Sequence, residues 1–211
     1  RQTRARILAA ALAQFAAQGY APTTMRDIAA AAGCSLGLAY RYFARKESLV
    51  LALYAQLEAD FADQVAALPA GTVGARFTAA MQAKLAAMAP YRPVLRALFG
   101  AALDPDSAVA VLGPESAPVR EAVQAAFDTL VAEASDAPPA PVAGALATVL
   151  YGLHLALVFV WLAERDAAGA GAAELIELLG PAVTAAGPLL ALPGADAALV
   201  RLAGVTGRML G

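Results

Sequence analysis

An all-α fold in two parts is what this sequence predicts: a small helical head over residues 1–48 and a larger helical body over 49–211. Three observations carry the expectation. Apolar residues recur at helical spacing along most of the chain, and no run alternates as a strand would. Hydrophobic residues make up 60% of the 211, and much of that is alanine, which favours helix and close helix packing. Charge is split: residues 1–50 hold seven Arg/Lys (Arg1, Arg4, Arg6, Arg26, Arg41, Arg45, Lys46) against Asp27 and Glu47, a net +5. The remainder holds eight basic residues against fifteen acidic ones, a net −7, so a pI of 5.4 conceals a basic head on an acidic body. Such a head suits a polyanion. Hydrophobicity this high excludes disorder as a description of the whole chain.

The elements follow in order. Over Thr3–Gln18, Ile7, Leu8, Ala11, Leu12 and Phe15 form one stripe, and Gly19 sits where a helix-ending glycine belongs. Pro22 sets a turn, and Thr24 with Asp27 makes a Thr-x-x-Asp capping pattern for a short helix through Ile28 to Ala32. Gly33 stops it, and Ser35 caps a second short helix to about Tyr42. Lys46 and Glu47 open a long helix to about Leu68; Pro69, Gly71 and Gly74 break it. Further helices are expected over about 74–89, 91–103, 115–135, 140–166, 172–191 and 195–209, with loops at Asp104–Pro114 and Asp136–Pro141.

Two short helices joined by Ala32-Gly33-Cys34-Ser35 have the spacing of a helix-turn-helix, whose second helix enters the major groove while the first crosses the backbone. The run Thr23–Leu49, TTMRDIAAAAGCSLGLAYRYFARKESL, with the Phe15…Gly19-Tyr20 ending before it, closely resembles the DNA-binding domain of the TetR family. The resemblance covers about residues 4–54. It implies a three-helix DNA-binding head followed by a helical ligand-binding and dimerisation domain, acting as a homodimer on double-stranded DNA. It implies that Thr24 and the amides after it hold a phosphate, that Tyr40 and Lys46 hold phosphates, and that Ser35, Leu36, Gly37, Leu38, Arg41 and Tyr42 lie on or beside the groove-facing surface. Arg41 is the expected base-edge contact, since its fork suits guanine O6 and N7. At Leu36 and Leu38 the sequence departs from the family's usual residues. Leucines touch thymine methyls rather than hydrogen-bond bases, so no operator sequence transfers.

Competing signals are weaker. Gly33-Cys34-Ser35-Leu36-Gly37 spells the nucleophile-elbow pattern, but helix precedes it and His154 is the sole histidine. No enzyme, cofactor or metal site is expected. Phe43 is expected in the core, whereas Tyr40 has a polar tip to spend on phosphate. Cys34, the only cysteine, is expected to be inert, and one cysteine suits a reducing, cytoplasmic location. The N-terminal segment lacks the apolar core of a signal peptide.

In the body, Phe77, Met81, Leu85, Met88, Tyr91, Phe99, Phe127, Tyr151, His154 and Phe159 are the expected lining of the ligand pocket that the resemblance places among the middle helices. Aromatic and Met lining suits an apolar or aromatic effector. Val142–Ala163 is 22 residues without a formal charge, long enough to cross a bilayer and equally able to lie buried between helices or subunits. The second reading is preferred, with no membrane. Leu146, Leu150, Leu153, Leu157, Trp161, Leu175, Leu178 and Leu179 are the expected dimer surface. The sequence therefore points to a repressor released from a palindromic operator by a small ligand. An activator or a ligand-independent regulator is the alternative, and a membrane-anchored helical protein a remote one.

Overall fold

The structure, a computed structural model, describes residues 2–140, 142–166, 169–192 and 194–210. Arg1, counted in the basic head, and Pro141, placed at a loop end, lie outside them. Among the described residues the chain forms ten α-helices and three short 3-10 turns, and no strand. The helices are α1 Gln2–Gln18, α2 Met25–Ala31, α3 Leu36–Tyr42, α4 Glu47–Ala66, α5 Val73–Met88, α6 Arg92–Leu103, α7 Ala117–Ala132, α8 Val142–Ala163, α9 Ala170–Ala186 and α10 Ala195–Leu210.

Prolines account for most of the differences from the sequence expectation. Pro93 and Pro118 lack an N–H and so stand in a helix's first turn; 3-10 turns at Ala89–Tyr91 and Pro114–Ser116 precede those helices. The stretch expected as one helix over 172–191 leaves α geometry at Ala186 and ends as a 3-10 turn, Gly187–Ala191, with Pro188 in its first turn. The helix expected over 140–166 is shorter at both ends.

Two compact units emerge. The first takes the chain up to Leu57 together with Met88–Val119; the second takes Glu58–Ala87 with the chain from Arg120 onward. In the first, α1 packs against α2 and α6. Ile7, Leu8, Ala11 and Phe15 of α1 are buried, as are Ile28, Ala39, Leu49, Leu53 and Leu98. These positions on α1 repeat at four-residue spacing, which explains why this stripe rather than another turns inward.

The second unit centres on α8, apolar on nearly every side. Ala147, Leu150, Tyr151, His154, Leu157, Val158 and Trp161 are buried, and α10 runs along α8 with α9 beside it. Gly152 permits the approach of α10, because a Cβ there would stand 2.8 Å from Thr206 Cγ2. Arg76 of α5 is a buried clamp. Its Nε donates to Leu130 O at 3.0 Å, Nη1 to Pro69 O at 3.1 Å, and Nη2 to Glu133 at 3.0 Å. It thereby satisfies carbonyls near the ends of α4 and α7 that helix geometry leaves open.

Candidate nucleic-acid interface

The head is built from local signals. Thr24 caps α2: its Oγ1 accepts from the Asp27 amide at 3.2 Å, and Asp27 Oδ2 accepts from the Thr24 amide at 2.9 Å and hydroxyl at 2.6 Å. These bonds favour the charged carboxylate, the side-chain bond most, and hold Asp27 below its ordinary range. The Thr24 hydroxyl proton is thus engaged by Asp27. At the other end of α2, Gly33 has φ +60°. Its N–H reaches Ala30 O and that of Cys34 reaches Ala29 O, the paired bonds of a Schellman ending, which needs a left-handed residue where Gly33 stands. Ser35 then caps α3, its Oγ accepting from the Leu38 amide at 3.2 Å. The segment that spells a nucleophile elbow is therefore a helix-to-helix turn whose serine is a cap.

Spacing along α3 sorts its faces. Ala39 and Phe43, four apart, are buried; Gly37, Tyr40 and Arg41 share the opposite face and are exposed, Tyr40 at 48%. Nothing stands within 4 Å of where a Gly37 side chain would begin, so the backbone is bare there. Ser35 and Tyr42 are exposed, and Leu36 and Leu38 are half-buried. Phe43 is in the core as expected, and the Arg4 guanidinium lies 4.8 Å over its ring, so Arg4 is more than a free surface charge. Lys46 donates from Nζ to Tyr20 O at 2.8 Å and to Ala21 O at 3.2 Å.

The second unit holds a ring cluster. Phe127 lies 5.6 Å from Phe61, 6.4 Å from Phe77, 6.0 Å from Tyr151 and 5.3 Å from His154, between ring centres. His154 also stacks on Phe61 at 6.1 Å and Tyr151 at 5.7 Å. Its Nδ1 is 3.3 Å from Tyr151 O. Burial, seconded by the Lys84 charge, pushes its pKa well below the ordinary 6.5 against that bond, so the imidazole is neutral. Burial pushes the Tyr151 phenol up to about 12. Against the cluster lies an ion pair: Lys84 Nζ donates to Glu58 Oε1 at 3.0 Å and Oε2 at 2.9 Å, and stands 4.1 Å over the Phe61 ring. The Lys84 side chain is 3% exposed and that of Glu58 15%.

Residues 7–53 match the model of the bacterial regulatory proteins of the tetR family. The head is thus similar to the DNA-binding domain of that family. Solved TetR-family structures share its fold along most of its length. One from Streptomyces coelicolor is 23% identical, covering 97% of this chain and 89% of that one, with a TM-score of 0.64. The fatty acid degradation regulator FadR from Bacillus halodurans is 20% identical, over 85% and 95% of the two chains, with a TM-score of 0.68. A tetR-family protein from Rhodococcus RHA1 is 25% identical, over 86% and 96%, with a TM-score of 0.59. Among curated proteins none matches.

Within this TetR-family fold the residues named from sequence fall unevenly. Phe77, Phe127, Tyr151 and His154 come together, and Met81 and Leu85 are buried on α5. Phe159 is half-buried on α8. Met88, Tyr91 and Phe99 fall in the first unit, where Tyr91 helps line a groove of about 430 Å³ floored by Leu8, Leu12 and the alanines of α1. On the surface named for dimerisation, Leu150, Leu157 and Trp161 are buried within the single chain, Leu146, Leu153 and Leu179 are half-buried, and Leu175 and Leu178 are exposed, Leu178 at 64%. Sequence reasoning passed over Glu58, Phe61, Arg76 and Lys84. A signal was there: Lys84 follows Phe77 and Met81 and precedes Met88 on one helical stripe, so a cation stands where α5 turns inward.

Proposed function

We propose that the chain is a homodimeric transcription regulator that reads duplex DNA with α3 and is released from a palindromic operator by a small molecule held in its second unit. The observation that carries this reading is the solvent face of α3: Gly37, Tyr40 and Arg41 stand together, bare and exposed, on a head of net charge +5. In this reading the free amides at the start of α2 take a phosphate, favoured by the helix dipole. Tyr40 contacts the backbone through its phenol. Arg41 addresses a base edge, flanked by Ser35, Leu36, Leu38 and Tyr42. Phosphate contacts give the salt-sensitive affinity and α3 gives the choice of sequence.

Dimerisation is supported by apolar residues left open on the second unit: Leu175, Leu178, Leu189 and Leu192 in and after α9, with Val205 and Met209 of α10, the last 72% exposed. Two helical stretches, Val142–Ala163 and Ala170–Leu190, are apolar and long enough to cross a membrane. The first is a core helix here, and we assign the second to a partner copy in the cytoplasm rather than to lipid. The ring cluster of Phe61, Phe127, Tyr151 and His154 suits an aromatic or apolar effector, and repression is the sign of regulation proposed. Fluorescence anisotropy on short duplexes tests the reading. Arg41→Ala is expected to lose about 1–3 kcal/mol on the preferred sequence while keeping its grip on random duplex. Equal loss on both would remove Arg41 from the readout.

A further inference from the structure

We propose that Leu36 and Leu38 are specificity-determining residues, which make the 5-methyl groups of thymines, rather than hydrogen-bonding base edges, the leading signal of each operator half-site. The inference rests on the reading of α3 as the helix that enters the major groove. The residues of such a helix that meet base edges lie chiefly in its first turn. In α3 that turn opens with Leu36-Gly37-Leu38, and none of the three has a side chain able to donate or accept a hydrogen bond. The hydrogen-bonding side chains of α3, Tyr40, Arg41 and Tyr42, all fall in its last three positions.

Helix geometry turns this patch outward. At about 3.6 residues per turn, Gly37, Leu38 and Arg41 lie on the side away from buried Ala39 and Phe43, and Leu36 lies at the edge of that side. Both leucines are half-buried, so each keeps apolar surface open to a partner. Between them nothing stands within 4 Å of where a Gly37 side chain would begin, so the backbone can come close to a groove floor with no Cβ in the way. Among its donors and acceptors the major groove offers one apolar feature, the C5-methyl of thymine. A Leu-Gly-Leu patch matches that group. Pressed against leucine, the cytosine amino group or the guanine acceptors would be left without partners, at the full cost of their dehydration. Guanine is left to Arg41, the single charged residue of α3. Each half-site is thus expected to set thymine methyls beside a guanine.

Deoxyuridine tests this, because it pairs as thymine does and lacks only the methyl. In the best duplex selected by the unaltered protein, each symmetric pair of thymines is replaced in turn, and Kd is read by fluorescence anisotropy at fixed salt. At least one pair is expected to weaken binding by ~4-fold for each methyl lost, about 15-fold for the two, the worth of burying one carbon group each. Cytosine at the same positions weakens binding further, and 5-methylcytosine recovers part of that loss, since its methyl occupies the same place. Leu36→Ala and Leu38→Ala are then titrated against the thymine and uracil duplexes, and one or both should shrink the uracil penalty to under ~2-fold. If an alanine variant fails to fold, Leu36→Gln or Leu38→Gln, which keeps length and helix propensity, takes its place with the same expectation. A selected half-site without thymine, or a flat uracil scan, overturns the proposal with no variant needed. A uracil penalty that persists undiminished in every variant assigns the methyl effect to the deformability of the duplex and also overturns it. If the unaltered protein selects no duplex, the DNA reading itself fails and the proposal falls with it; a selected duplex with a flat scan leaves that reading intact and removes only the two leucines.

Discussion

Replacing Lys84 by Met should destabilise the second unit by about 3–5 kcal/mol, because it strands Glu58 as a partly buried, unpaired carboxylate. The pair is short, at 2.9–3.0 Å, and both side chains are largely shielded, at 3% and 15% exposure. At an effective dielectric of about 20, charges about 4 Å apart attract by about 4 kcal/mol. Set against this is the cost of removing an ammonium and a carboxylate from water, several kcal/mol per ion. Burial lowers the Lys84 pKa although Glu58 pulls the other way, so desolvation weighs on the ammonium. Two consequences follow for a double-mutant cycle read by urea unfolding. Each single variant, Lys84→Met or Glu58→Leu, falls by several kcal/mol. The double variant recovers to within about 1 kcal/mol of the original or exceeds it. If Lys84→Met alone cost under about 1 kcal/mol, or the double variant were less stable than both singles, the burial argument would be wrong.

Other expectations are simpler to test. Ser35→Ala removes the cap of α3 and should lower stability by about 1 kcal/mol, seen as a lower midpoint in thermal unfolding. Gly152→Val places side-chain atoms where Thr206 already stands, so α10 should detach from α8 and become open to proteolysis. The His154 ring is neutral in the folded state, while unfolded chains take up the proton below about 6.5. Stability should therefore fall with pH below that value, by up to about 1.4 kcal/mol per unit, and His154→Gln should flatten this part of the profile.

The head was legible because its information is local. Thr24 with Asp27, Gly33 and Ser35 are caps and turn residues whose roles depend on neighbours within five positions, and each adopts the bond its spacing implies. The helices of the body were legible for the same reason, down to ends shifted by prolines. What could not be read was pairing between distant segments. Nothing near Lys84 in sequence announces Glu58, and nothing within α8 says that α9 and α10 pack against it. A uniformly apolar helix such as α8 has no face that distinguishes a neighbour in the same chain from a partner. Tyr91 and Phe99 were grouped with Phe127 by residue type and by the resemblance, which sets the pocket among the middle helices, and topology put them in a different unit.

The central claim is that two copies of the α3 reader, held at a fixed span, grip successive turns of one duplex. Selection of bound sequences from a random duplex pool, at a stated salt of about 100 mM, tests it most directly. The account predicts enrichment of an inverted repeat whose half-site centres lie about 34–36 Å apart, or a multiple of that. Recovery of single half-sites without symmetry, or no enrichment over the starting pool, would contradict it.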